Sequence, residues 1–271
     1  LRLSRGLGDV YKRQVLYRSN AQSRAIEEAL LRISIPYRIY GGLRFYERLE
    51  IKNAIAYLRI IFNNNDNPSF ERSISNPTRG VGEKTLGKIR NTAKKYNISY
   101  IKASAKLIDE GSISGRGGSG LRDYLEFVAG CKNFIEENNL SELMELIIKE
   151  SGLYAYHAKE AGEKGKTRTE NLEELITATK NFEQSIKEEK TNIEIAESYL
   201  DVISLDSGDR QAAEYDDAAQ LMTMHSAKGL EFKLVLLTGL EESLFPHGRS
   251  MESASQLEEE RRLCYVAVTR A

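Results

Sequence analysis

The sequence is short of several things, and each absence narrows the field. Only two of its 271 residues are cysteines, Cys131 and Cys264, far apart along the chain. A disulfide framework is not expected, and a reducing, cytoplasmic compartment is the default. His157, His225 and His247 are the only histidines and stand too far apart for metal-ligand spacing, so no metal site is expected. No apolar run is long enough to cross a bilayer, so no membrane partner is expected. Arg2, Arg5, Lys12 and Arg13 frame no apolar segment, and the start does not read as a signal peptide. A phosphate loop is also missing. Gly165-Lys166-Thr167 has the ending of one, but the pattern needs glycine five residues before Gly165, where Glu160 stands. No strand precedes it, and it reads as a polar loop between helices.

What is present fits a soluble globular chain, with 41% hydrophobic and 29% charged residues. The length allows one large or two ordinary domains. The net charge of −1 hides an asymmetry: residues 1–102 hold 20 Lys and Arg against 8 Asp and Glu. The remainder holds 19 against 32 and is acidic. Such a division suggests a polyanion meeting one region of the chain, although unevenly solvated faces would give the same count.

Residues 1–14 show no clear periodicity and read as a non-native tail. Val15–Arg18 reads as a buried strand. Ser19 opens a helix with Ile26, Ala29, Leu30 and Ile33 on one apolar stripe, and Ile35-Pro36 ends it. Tyr37–Tyr40 is a second short strand. Strand, helix, strand implies a parallel sheet. The period then changes. Ile51, Ala54, Ile55, Leu58 and Ile61 form a helical stripe, and Asn63–Pro68 a turn. Helices are expected over 83–97, 121–138, 141–150, 170–189 and 192–203, with GSISGRGGSG (111–120) as a flexible link and Asp206–Asp217 as an acidic linker. Strands at Leu221–Met224 and Lys233–Thr238 and a helix over Leu257–Val268 follow, the last with Leu263, Val266 and Ala267 on one side. The pattern is an α/β domain interrupted by a large all-helical insertion.

Two stretches carry chemistry. Thr223-Met224-His225-Ser226-Ala227-Lys228-Gly229-Leu230-Glu231-Phe232 joins two strands, where open α/β sheets place ligands, and offers hydroxyl, imidazole, ammonium and carboxylate groups. Composition alone leaves it equally an ordinary polar loop. The second is Glu258–Ala271, a helix opening with acids that complement its dipole and ending at Arg270. That arginine is either a C-terminal dipole partner or a group aimed at phosphate charge.

These residues carry a resemblance. MHSAKGLEF and EEERRLCYVAVTRA resemble the fifth and sixth motifs of the UvrD/PcrA/Rep group of superfamily-1 DNA helicases. VLYRSNAQSRAIEEALL, IPYRIYGGLRFYERLEIKNAIAYLR, NPTRGVGEKTLGKI and EKGKTRTENLEEL are similar to that group in the same order. The likeness covers 15–271; Lys233 departs from it, where proline is frequent.

The resemblance implies an incomplete RecA-like, P-loop-NTPase-type parallel-sheet domain, residues 15–45 and 218–271, interrupted by an all-α inserted domain, 46–217. It implies part of an ATP-dependent 3′–5′ helicase that moves on single-stranded DNA and unwinds duplex in repair or replication. A non-hydrolysing DNA-binding module and a part of a helicase–nuclease are the alternatives. ATP with Mg2+ would be held mainly by a first motor domain of the same protein, and the chain by itself should not hydrolyse ATP. By resemblance Arg270 is the arginine finger and Glu231 accepts from the ribose hydroxyl. Arg18, Asn20, Arg44, His225 and His247 would line the single strand. Arg79, Gly80-Val81-Gly82 and Lys84 would grip the duplex, where glycine admits phosphate to backbone N–H groups at a helix start.

Overall fold

Two strands of the sheet come from the first part of the chain and two from the last. The computed structural model describes residues 13–40, 42–187, 189–208, 218–242 and 244–271. In chain order its elements are β1 (Arg13–Tyr17), α1 (Ser23–Arg32), β2 (Tyr37–Ile39), α2 (Leu49–Phe62), α3 (Asn67–Ser75), α4 (Glu83–Tyr96) and α5 (Tyr100–Asp109). Next come α6 (Gly115–Glu137), α7 (Leu140–Glu150), α8 (Leu153–Ala158), α9 (Glu163–Ser185) and α10 (Asn192–Gly208). Then follow β3 (Ala219–Thr223), β4 (Leu234–Leu237) and α11 (Ala254–Val268). Two compact units result: Arg48–Ser207 forms one, and the described residues of Leu1–Glu47 and Gly208–Ala271 form the other.

The first unit is built on a parallel sheet of order β2-β3-β1-β4. Its central strands are apolar on both faces, as a parallel sheet covered by helices requires. Alternation sorts the side chains. Val15, Tyr17 and Leu221 pack with Tyr37 and Ile39 in one cluster, against which Ile26, Leu30 and Leu31 of α1 lie. Leu16 and Met222 fall in another cluster, covered by Leu263 and Ala267 of α11.

Strand β1 begins earlier than expected: Gln14 is buried in the sheet and its amide donates to Gln220 Oε1 at 3.2 Å. Residues 1–12, where most of the expected tail falls, lie outside the described residues. The expected stripe of α1 needs correction. Ile33 is exposed, whereas Ser23, Arg24 and Glu27 are the buried positions of the helix. Glu27 is satisfied by the Ser23 hydroxyl at 2.6 Å, Tyr37 Oη at 3.3 Å and the Phe45 N–H at 3.2 Å. A buried acid accepting these bonds costs little, and periodicity alone does not find it.

In the helical unit α2 is buried almost all round, with Ile51, Ala54, Ile55, Leu58 and Ile61 inside as expected. The expected turn ends early, because the Asp66 carboxylate caps α3 by accepting from the Ser69 N–H at 2.9 Å. The stretch taken as a flexible link is ordered. Gly115–Gly120 form the first turns of α6, and a Cβ at Gly120 would stand 2.0 Å from the Arg79 carbonyl oxygen. Glycine there serves close approach of backbone rather than mobility. Gly165-Lys166-Thr167 lies inside α9 instead of in a loop. A Cβ on Gly165 would meet Glu160 O at 2.3 Å and His157 O at 2.8 Å, so the glycine lets α9 begin tightly against the end of α8. α10 runs through Gly208; the remainder of the expected acidic linker, 209–217, lies outside the described residues.

Candidate nucleotide and DNA interface

Because β1, β3 and β4 are parallel and in register, their C-terminal ends meet on one edge. Tyr17 pairs with Thr223 and Leu16 with Leu237. Two further hydrogen bonds extend the ladder at that edge, Met224 N–H to Tyr17 O at 2.8 Å and Thr238 N–H to Leu16 O at 3.0 Å. Arg18 and Asn20 leave the sheet there beside His225. Open α/β sheets bind ligands at this edge. His225 and Glu231 are exposed and Asn20 is half-buried.

Arg270 follows α11 by two residues. Its Nε donates to Val266 O at 2.9 Å, its Nη1 to Leu230 O at 2.9 Å and its Nη2 to Thr269 Oγ1 at 3.1 Å. The Phe232 N–H returns a bond to Arg270 O at 2.8 Å. The arginine is therefore clasped by the residues on either side of Glu231. Its acceptors are carbonyls and a hydroxyl, so its rotamer is fixed, and among the described residues no carboxylate pairs with it. Three of the five guanidinium N–H groups are used and two remain. That is the state a phosphate-binding arginine requires before its ligand arrives. Residues 230–232 and 270 are thereby joined into one group.

Arg18 is placed differently. Its Nε donates to both carboxylate oxygens of Glu260 at 3.0 Å and its Nη2 to Oε1 at 2.7 Å. Glu260 is buried, and also accepts from the Ser250 hydroxyl at 3.3 Å and the His247 N–H at 3.4 Å. Burial works to raise the Glu260 pKa, but the Arg18 guanidinium, with the His247 and Ser250 donors, outweighs it and holds the carboxyl below its ordinary value. Arg18 is thus held at the strand edge by an ion pair, and His247 shares the same carboxylate through its main chain. Sequence reasoning took Glu258-Glu259-Glu260 as acids of a helix start and missed this. Spacing alone does not single it out: Glu259, four and eight residues before buried Leu263 and Ala267, and Glu260, three and seven before them, share that side, and only Glu260 is buried. Arg44 also needs correction. It is buried, with its guanidinium carbon 4.9 Å from the Tyr37 ring centroid, and does not line an open surface.

In the helical unit Gly80 takes φ +73° and Gly82 caps α4, with Lys84 exposed in its first turn and Val81 buried. The loop lies against the start of α6: a Cβ on Gly117 would meet Gly80 O at 3.1 Å, and Arg116 is exposed beside it. Arg79 is turned to other work. Its Nη1 donates to Ser73 O at 3.3 Å and Pro77 O at 2.9 Å, and its Nη2 to Ser151 O at 2.8 Å. Its guanidinium carbon stands 5.5 Å from the Tyr57 ring and 5.6 Å from the Tyr124 ring. Expected as a duplex contact, it instead joins three stretches of backbone.

Comparison with known proteins decides the family. The family model for the UvrD-like helicase C-terminal domain matches residues 5–115 and 119–271. The chain belongs to that family. It is 48% identical over 257 residues to DNA helicase II of Escherichia coli K12, covering 95% of this chain and 35% of that protein. It is 47% identical over 257 residues to DNA helicase II of Salmonella typhimurium, with the same coverage of 95% and 35%. To the ATP-dependent DNA helicase PcrA of Bacillus subtilis it is 39% identical over 259 residues, again covering 95% and 35%. The chain therefore spans about a third of the length of the curated relatives it matches. Among the described residues no helix is long and apolar enough to cross a membrane.

Proposed function

We propose that this chain supplies the second RecA-like motor domain, 15–45 and 218–271, and the inserted helical domain, 46–217, of an ATP-dependent DNA helicase. The whole protein would move 3′ to 5′ on single-stranded DNA and unwind the duplex ahead, in repair or replication, in the cytoplasm. The observation that carries this reading is the seat of Arg270, a rigidly held cation clasped to the loop of Glu231, with no carboxylate partner among the described residues. ATP with Mg2+ supplies the phosphoryl chemistry when bound. Of this chain's residues, Arg270 would stabilise charge on the terminal phosphate and Glu231 would accept from the ribose hydroxyl. The first motor domain of the same protein is the partner across the nucleotide.

Asn20, His225, His247 and Arg18 would form the single-strand face, and Gly80-Val81-Gly82 with Lys84 would meet duplex phosphates. Such contacts are independent of sequence and sensitive to salt. The test uses the 271-residue chain and a labelled duplex–single-strand junction. Binding should be weak, with affinity falling steeply between roughly 50 and 200 mM salt. A flat salt response would remove the phosphate contacts, and DNA-stimulated ATP turnover by this chain alone would remove the assignment to a second motor domain.

A further inference from the structure

Helix α11 begins at Ala254 with no acid in its first turn, so the expected opening acids fall in its second, and the buried Glu260 among them has surroundings more specific than a dipole partner needs. Glu260 gathers Arg18 from the end of β1, the His247 N–H and the Ser250 hydroxyl around its two oxygens. From Glu260 to the last helical residue, Val268, the rise is about 12 Å. One rigid helix thus joins the cluster at Arg18 to the seat of Arg270. We propose that Glu260 is a positioning residue for DNA contact: it fixes the guanidinium of Arg18 at the strand edge where that group meets a backbone phosphate. The inference rests on the reading of Arg18 as part of the single-strand face.

Plain electrostatics opposes this role, since a carboxylate beside an arginine weakens its pull on phosphate. The geometry favours it. A fork-to-carboxylate contact fixes the plane of the guanidinium, where a solvated arginine would have to give up rotamer freedom on binding. Position and charge therefore predict opposite signs for the same substitution.

The experiment uses the full-length protein that carries this chain, with single-stranded DNA affinity measured across a salt series and a thermal melt of each variant. Arg18→Ala should weaken binding and reduce the salt slope by about 0.7, one single-strand phosphate contact. Glu260→Gln should weaken binding roughly ten-fold although it raises the net charge by one. Unchanged or tighter binding by Glu260→Gln, with Arg18→Ala weakened, overturns the positioning role. No effect of Arg18→Ala on affinity or slope overturns the reading beneath it. Should Glu260→Gln melt too low to assay, Arg18→Met with Glu260→Gln removes both charges and leaves none uncompensated. That double variant should bind like Arg18→Met alone; a further loss would show Glu260 acting elsewhere and overturn the proposal.

Discussion

Arg79 in the helical unit and Arg270 in the sheet unit both donate to main-chain carbonyls, yet they serve opposite ends. Arg79 reaches the carbonyls of Ser73 and Pro77, six and two residues back, and of Ser151, 72 residues on, and lies over the rings of Tyr57 and Tyr124. Its charge is spread into carbonyl dipoles and aromatic faces at the centre of a packed cluster. Arg270 reaches Val266 and Thr269, four and one residues back, and Leu230 on the neighbouring loop. Among the described residues no ring covers it, and three of its five N–H groups are matched by acceptors. Each takes two local acceptors and one distant one, so the same side chain acts as a tie where aromatic rings cover it inside a packed cluster, and as a presented cation where none among the described residues does.

The comparison breaks most sharply on Arg270. In the full-length protein Arg270→Ala should lower ATPase kcat by about 10³-fold or more, and Arg270→Lys should restore little because ammonium lacks the planar fork. Steady-state ATPase rates and a melt on the same protein decide it. Near-normal turnover with a lowered melting temperature would make Arg270 a helix-end cation and nothing more.

The converse holds for Arg79. Arg79→Met should cost roughly 2–3 kcal/mol of stability, because three carbonyls lose their donors. Chemical denaturation of this chain measures it. Where the variant is folded, the salt slope of junction binding should match that of the parent; a slope reduced by about one would return Arg79 to the DNA.

Gly120→Ala probes the same tie from the other side. A Cβ there cannot coexist with Arg79 O at 2.0 Å, and overpacking of this kind costs about 1–3 kcal/mol. Wild-type stability of the variant, measured by melting, would mean that α6 starts elsewhere.

The smallest effect concerns pH. Glu260 has its pKa held below 4.5, so its pairing contributes stability above that ordinary value and loses it as pH falls through the depressed one. Acid melts of Glu260→Gln should show a weaker decline over that window than the parent. Identical slopes would show that the Arg18 pair contributes nothing to folding.

Much of this was legible in the sequence where the signal is local. The buried stripe of α2 was found by its 3.6-residue period. The parallel strands were found by short apolar runs between helices. The loop 223–232 and the end of α11 were recognised as chemically rich before any contact was known. The glycine-rich turn at 115–120 was misread because composition gives the same letters to a mobile link and to a close backbone crossing. Glu27 and Glu260 were missed for a related reason. A buried acid is invisible until its donors, here Tyr37 and Phe45 for one and Arg18 for the other, are brought to it from elsewhere in the chain.

The sequence by itself determined the strands and several of the longer helices, that the helical stretch interrupts an α/β pattern, and which two motifs are rich in charged and polar groups. Those are properties of periodicity and of residues a few positions apart. Only the tertiary structure decided what each arginine does. A guanidinium is equally suited to a carboxylate, a carbonyl, an aromatic face or a phosphate, and the choice is made by what the fold sets beside it. Glu260 lies beside Arg18, the Ser151 carbonyl beside Arg79, and the Leu230 and Val266 carbonyls beside Arg270.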